Sequence, residues 1–578
     1  MKTGAQRNRL IQLGKNFATN FECEKLDTLN SSTSILRDIT IQLDEANYQL
    51  SFGQPNTEIK KPQAYEVVKT MDLNNISRDA YRSLTKIEPG LPKENLVASA
   101  KSEITTLMNN AIPIKEFNMK DTLVDDDDSG DGDGDDENNE KDVTDNDIIA
   151  TVKNFEGAGG YRNIINIINY LIPYYLKNNI INLIDNNLHI RISGDGRNVG
   201  RKIKHEMITF AFLNNSENIM KPDNHYTLVL YSGKEDYNSL LTSLSFLCRE
   251  LSKLKENGYT DLENNHWNVH LYISGDWKFL ATCLGFNMAN SDSFCIWCSC
   301  TKSQLKNINA SWKISKNIDQ LKIGWKKTKG HKNPPIFDMI PLTNWIPDKL
   351  HIMLHITDRL WSLVLNEIRS TIGLNDDIHN KIHEMKKIGV KFEFWLIQGS
   401  TNWSHTSLMG PDKLKVLKNF NLEVFFPIER ARKIRHLWNG FSELHTLLCE
   451  KNTNSNEFQK KAFEWLKIFL TPSIGKIKQP NYVKGLYFPD DLTPYIHVLI
   501  YHIPEFLEIH QKFGLKIFSC SPIEKKNHQQ IMKYFRKTMK DGGCKKSAVV
   551  EILESENRAL FYMTNHTQIN KTKQINIH

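Results

Sequence analysis

No stretch of this chain offers the roughly 18 uninterrupted apolar residues that a membrane-crossing helix needs. The best candidate, Ile164 to Leu176, is broken by Asn166, Asn169 and Pro173. The N-terminus (Met1, Lys2, Arg7, Arg9) lacks the apolar run of a secretion signal. Cysteine is sparse and odd in number, nine in 578 residues, which fits a reducing compartment better than a disulfide framework. These absences lead us to expect an intracellular soluble protein with no membrane partner.

What the chain does have is an uneven charge. Between Asp121 and Asp147 lie 14 acidic residues and one lysine, Lys141. Outside that segment 73 Lys and Arg face 53 Asp and Glu, an excess of 20 behind a formal net charge of +7. Such an excess suits a polyanion partner, because neutralising phosphates releases counterions. The acidic run reads as a self-repelling, disordered linker. Its Asp131-Gly132-Asp133-Gly134-Asp135 has the look of a calcium loop. Asp136 stands where that loop needs Gly, however, and Asp142 where it usually has Glu.

The chain divides into a lead-in (1–60), a small helical region (61–117), the acidic linker (118–150) and an ordered remainder. Strands are expected at Leu188–Ser193, Glu206–Leu213 and Tyr226–Tyr231. Leu240, Leu244, Leu247, Leu251 and Leu254 then mark an amphipathic helix that Gly258 ends. A further strand, Val269–Ile273, completes the order β-β-β-α-β. The first and last of these strands both stop at Ser-Gly-Asp, giving Asp195 and Asp276, 81 positions apart. A right-handed crossover returns the last strand parallel to the first and brings both acids side by side. This is a ribonuclease H-like arrangement, in which paired carboxylates share divalent cations. Read alone, each Ser-Gly-Asp is equally a strand-to-turn boundary.

Such a site needs a third carboxylate, and the candidate is Glu524 in a helix opened by Pro522. Glu524, Asn527 and Ile531 share one helical face, while Lys525, Lys526, Lys533, Arg536 and Lys537 keep the outer side basic, with Lys525 and Lys526 as candidate DNA contacts. Cys295 and Cys298 form a Cys-x-x-Cys pair, and His497 and His502 lie five apart far downstream. Two Cys and two His can complete a tetrahedral zinc site. Cys300 is either a further ligand or a bystander. Lys326, Lys327, Lys329 and Lys332, with Trp325 among them, line a DNA path or form a solvated loop.

From Leu188 to the 540s these residues resemble the catalytic core of the recombination-activating recombinase and its relatives, the Transib transposases. Asp195-Gly196 resembles the family's first catalytic Asp-Gly. Asp276 with Cys295 and Cys298 resembles its second aspartate and zinc cysteines. His497 and His502 with Pro504-Glu505 resemble its zinc histidine pair. Glu524 and Asn527 before Tyr534-Phe535-Arg536-Lys537 resemble its catalytic Glu and the Phe-Arg-Lys that follows, and Leu350-His351 opens a long helix as in the family. The acidic linker and the absence of a recognisable basic end-binding domain depart from the pattern.

The resemblance implies an α/β protein: a ribonuclease H-like core (151–340) and a large, mostly helical, zinc-clamped insertion (341–505). A catalytic helix and basic tail (506–578) follow. Helical patterns at Leu350–Ile368, Glu429–Leu448 and Phe458–Leu470 agree with this. It further implies a nuclear, homodimeric DDE-type transposase or nuclease acting on double-stranded DNA, with a possible accessory subunit. Two Mg²⁺ or Mn²⁺ would sit on Asp195, Asp276 and Glu524, and one Zn²⁺ on the Cys–His set. Two rivals stay open: a transposon-derived DNA-binding protein without activity, and another ribonuclease H-like nuclease acting on DNA structure or RNA.

Overall fold

The computed structural model describes residues 38–43, 46–51, 57–88, 90–119, 157–199, 203–371, 383–396, 403–476, 479–533 and 547–565. The acidic linker and Tyr534 to Lys537 lie outside them. The chain falls into two compact units, one of residues 1–104 with 567–578 and one of 105–566. In the first, β1 (Asp38–Leu43) pairs antiparallel with β2 (Ala46–Ser51). Helices Thr57–Leu73 and Arg78–Ile87 follow, the second capped where the Ser77 hydroxyl accepts from Ala80 N. Ala64, Val68, Tyr81, Val97 and Ala100 are buried there.

The second unit is built on a mixed sheet. Its strands are β3 (Ile114–Asn118), β4 (Ala158–Arg162), β5 (Asn187–Val199), β6 (Ile203–Phe212), β7 (Tyr226–Ser232), β8 (Tyr259–Thr260), β9 (His266–Gly275) and β10 (Trp345–Pro347). The order across the sheet is β10-β9-β5-β6-β7-β4-β3, with β8 beside β9. β5 and β9 run parallel, joined through the crossover helix Tyr237–Asn257 with its buried Leu240, Leu244, Leu247, Leu251 and Leu254. β7, Tyr226–Ser232, is buried at every position, and its near-continuous apolar run fits a strand covered on both faces.

One boundary differs from expectation. The chain does not leave the sheet at Ser193 but continues through Val199, so Asp195 lies inside β5, opposite Met207 of β6. Both Ser-Gly-Asp glycines are there to admit one ring. A Cβ on Gly194 would stand 2.1 Å from Phe279, and one on Gly275 would stand 2.6 Å from it. At Gly194 the motif is a close-packing device within the ladder, whereas at Gly275 β9 ends as expected and Asp276 caps the helix that follows.

Residues 349–509 are largely helical, with helices at Lys349–Thr371, Gly410–Asn419, Ile428–Cys449, Ser455–Phe469, Pro494–His497 and Ile503–Ile509. Their core is aromatic: Trp361, Trp438 and Trp465 are buried, and the Trp361 and Phe420 rings meet edge-on at 4.9 Å. The helix Ser521–Lys533 then returns to the sheet. Ile523 and Ile531 pack with Met207 and Leu230, and the C-terminal helix Ala548–Thr564 adds Val549, Ile552 and Leu553. This apolar seat sets the height at which Glu524 and Asn527 meet β5.

Candidate functional site

The two Ser-Gly-Asp motifs lie in register. Ile192 pairs with Ile273 across the parallel ladder, and the next residues, Ser193 and Ser274, bring their hydroxyls to 3.3 Å. Two positions further on come Asp195 and Asp276. Asp276 is also the N-cap of the helix Trp277–Cys283, where its carboxylate accepts from Phe279 N at 2.6 Å. Asn527 donates to Asp195 Oδ2 at 2.7 Å and to its backbone oxygen at 3.1 Å. The helix carrying Glu524 is thereby tied to β5 at the acid itself.

Glu524 faces His351, Nε2 to Oε1 3.6 Å. His351 is oriented from behind: its Nδ1 lies 2.6 Å from Asp348 Oδ2, and the other Asp348 oxygen accepts from Leu350 N and Cys520 N. Burial opposes a charge on this imidazole. The hydrogen bond and charge of Asp348 outweigh it, aided by Asp276 and Glu524, and raise the pKa to about 10. Burial, with the neighbouring acids, pushes Glu524 up to about 7 against the pull of His351. Asp195 rises to about 6 for the same first reason, with Asp276 adding to it and Asn527 resisting.

Two acids that sequence reasoning passed over belong to the same field. Glu206, on β6 opposite Gly196, is buried, and its Oε2 has no hydrogen-bond partner. Glu235, just past β7, pairs with Lys278 at 3.1 Å. Burial raises both, Glu235 to about 8, and each feels Asp195 and Asp276. The only signal in the sequence was their place beside the strand ends, and an isolated Glu carries little. Five carboxylates share a partly desolvated region, opposed by the positive charge of Lys278, His351 and Arg197. Such a set favours either protons or added cations. Among the described residues these acids do not close to the 4.8 Å mutual spacing that the Cys–His set reaches.

That second set is tighter. Cys295 Sγ lies 3.3 Å from His502 Nε2, Cys298 Sγ 3.4 Å from His497 Nε2, and the two Nε2 atoms are 3.2 Å apart. All four residues are buried. A tetrahedron with Zn–S of about 2.3 Å and Zn–N of about 2.0 Å has edges of roughly 3.5 Å, so the donors fit a zinc ion. The histidines converge because Val498–His502 is a π-helical turn. On a regular α-helix residues five apart diverge by about 140°; the wider turn stacks them. Pro504, lacking an N–H and crowding the preceding turn, favours the irregularity. Glu505 Oε2 lies 2.9 Å from His502 Nδ1 and accepts from Ile314 N, a carboxylate behind a ligand. Cys300 donates its N–H to Cys298 Sγ at 3.4 Å, and its thiol is outside the set of four.

The basic residues part company. Lys326, Lys327, Lys329, Lys332 and Lys525 are exposed. Lys526, expected on the outer basic face, is instead buried, its ammonium 2.7 Å from Glu556. Glu556 also holds the fully buried Arg162 at 2.5 Å, and this demand for counter-charge draws Lys526 inward. No helix among the described residues is long and apolar enough to cross a membrane. Neither the known family models nor the curated proteins give a match to this chain.

Proposed function

We propose that the chain is a DDE-type DNA transposase or recombinase-like nuclease with a ribonuclease H-like core, in which Asp195, Asp276 and Glu524 form the catalytic centre. The observation that carries this reading is the Asn527–Asp195 hydrogen bond beside in-register Asp276, which ties three distant segments into one acidic site. A cluster of raised carboxylates in a partly buried site suits divalent-cation binding. Two Mg²⁺ or Mn²⁺ held there would activate the attacking hydroxyl and stabilise the leaving oxygen of a phosphodiester.

The chain's own groups have separable tasks. Asn527 fixes the Asp195 carboxylate, leaving its other oxygen for a metal. Asp348 holds His351 so that its Nε2 faces Glu524. Glu235, paired with Lys278, adds a further buried carboxylate to the same field. The Cys295–Cys298–His497–His502 set, loaded with Zn²⁺, clamps the segment after Asp276 to the segment before Glu524. We further propose double-stranded DNA as substrate, a homodimer as the working state and the nucleus as its compartment.

The test is a nicking assay on duplex DNA carrying the genomic repeats that flank the coding sequence, with Mg²⁺ or Mn²⁺. Asp195→Asn, Asp276→Asn and Glu524→Gln are each expected to abolish cleavage while DNA binding survives. Full cleavage by any one of them removes the assignment. Binding without cleavage by the unaltered chain favours an inactive DNA-binding protein, and preference for RNA or hybrid favours a different nuclease.

A further inference from the structure

The helix Ser455–Phe469 carries two faces. One is its buried stripe, Phe458, Ala462, Trp465, Leu466 and Phe469. On the other, Asn456, Gln459, Lys460 and Phe463 recur at three- and four-residue steps, and all four line a cavity of about 410 Å³. The segment 308–313, with Trp312 and Lys313, lines it as well, as do Tyr501 and Glu505. Its volume falls in the range of about 300–1,000 Å³ that small-molecule sites occupy.

The walls are aromatic and stand apart. Phe463 meets Tyr501 edge-on at 5.5 Å. Trp312 and Tyr501 both rest on the His497 ring, at 6.3 and 5.1 Å. Among the described residues Trp312 makes no ring contact with Phe463 or Tyr501, although all three line one hollow. Such a gap accepts a flat ring, which gains affinity by stacking on the indole.

The second observation is a buried hydroxyl. Tyr501 is 9% exposed and lines the cavity, and its hydroxyl bonds to no described residue. A buried tyrosine hydroxyl usually has a partner. The side-chain amides of Asn456 and Gln459 and the ammonium groups of Lys313 and Lys460 also make no hydrogen bond or ion pair among the described residues. The wall's carboxylate, Glu505, is already engaged. It accepts from Ile314 N at 3.1 Å and lies 2.9 Å from His502 Nδ1. Aromatic faces, amides and a hydroxyl for a ring's polar edge, and unpaired cations for a phosphate together match a nucleotide.

We propose that this cavity binds one nucleotide. The base lies between Trp312 and the Phe463–Tyr501 wall, with its polar edge at Tyr501 and the two amides and its phosphate at Lys313 and Lys460. The nucleotide is either an unpaired one in a bound DNA strand, a source that rests on the nuclease reading above, or a free one.

The experiment uses the zinc-loaded full chain with Ca²⁺ in place of Mg²⁺. Its probes are a labelled single strand of adenines, the matching duplex and deoxyadenosine monophosphate. Trp312→Ala is expected to weaken single-strand binding roughly tenfold. Tyr501→Phe, which removes the hydroxyl alone, is expected to weaken it several-fold. Lys460→Gln, at an exposed position, is expected to lower the slope of log affinity against log salt by about 0.7, one phosphate contact on a single strand. Duplex binding, in which no base is free, stays unchanged in Trp312→Ala. Zinc content and circular dichroism check that the variants fold.

The mononucleotide separates the two sources. Calorimetric binding of the monophosphate that is lost in Trp312→Ala, with single-strand affinity unaltered, assigns the site to a free nucleotide. Weakened single-strand binding assigns it to the DNA strand. Equal weakening of single strand and duplex marks a general phosphate contact and overturns the proposal. So does indifference of both single-strand and monophosphate binding to Trp312→Ala and Tyr501→Phe. Trp312-dependent binding by a chain that cleaves no DNA removes the nuclease reading and keeps the site. Cleavage by a chain whose binding ignores Trp312 does the reverse.

Discussion

Asn527 donates a hydrogen bond of 2.7 Å to the carboxylate of Asp195, across 332 positions of sequence. This one amide couples the catalytic-helix candidate to β5. Asn527→Ala is expected to lower the metal-dependent cleavage rate about 10- to 100-fold, the usual cost of losing a partner behind a metal ligand. Titrating Mg²⁺ checks it: the half-saturating concentration rises while zinc content and melting temperature stay close to those of the parent.

The raised pKa of Asp195 fixes a pH dependence. Its folded value of about 6 lies above the ordinary 3.8, so the metal-free folded state holds the proton more tightly than the unfolded chain. That contribution is complete below pH 3.8 and is lost as pH rises through about 6. Asp195→Asn therefore stabilises the metal-free protein above pH 6 by about 1–2 kcal/mol, less than the full shift because the side chain is partly exposed. The gap closes below pH 4. Urea titrations at pH 4 and 7.5 with chelator present measure it, and equal effects at both pH values contradict the burial argument.

Glu556 makes the opposite case. Burial would raise it, but Lys526 and Arg162 outweigh that and hold it at about 2. Its contribution is present above the ordinary 4.5 and lost as pH falls toward 2. Glu556→Ala leaves Arg162 buried without a counter-charge and is expected to cost about 3–5 kcal/mol. Glu556→Gln, which keeps hydrogen-bonding capacity, costs less. Chemical denaturation at neutral pH ranks the two.

Zinc gives a fourth prediction. Purified protein should carry one zinc per chain, and Cys295→Ser or His502→Ala should bring it near zero with loss of thermal stability. Glu505→Gln, behind His502, should weaken zinc about 10- to 100-fold without abolishing it. Metal analysis and competition with a chromogenic chelator read both. Zinc well below one per chain in the unaltered protein counts against the clamp.

Much of this arrangement was legible because periodicity is a direct imprint of burial. The leucines from Leu240 to Leu254 gave the crossover helix, and the alternating strands around it led to a parallel β5–β9 pair. The Cys-x-x-Cys and His pair were legible as one four-ligand set, and their meeting is found. It depends on the π-helical turn at Val498–His502, and only Pro504 hinted at it. Glu206 and Glu235 were hidden because an acid's importance lies in what surrounds it, and both become unusual only through burial. Lys526 was misread for the converse reason: its charge predicted solvent, and Glu556 drew it into the interior. The extension of β5 past Gly194 was masked because that glycine accommodates Phe279 within the ladder instead of making a turn.

The central claim is that Asp195, Asp276 and Glu524 bind shared divalent cations. Anomalous diffraction from crystals of the zinc-loaded protein grown with Mn²⁺ tests it most directly. Manganese peaks are expected to touch Asp195, Asp276 and Glu524, two of them about 3.5–4 Å apart once DNA is bound. Clean density for all three carboxylates with no manganese between them, at concentrations that saturate other sites, contradicts it.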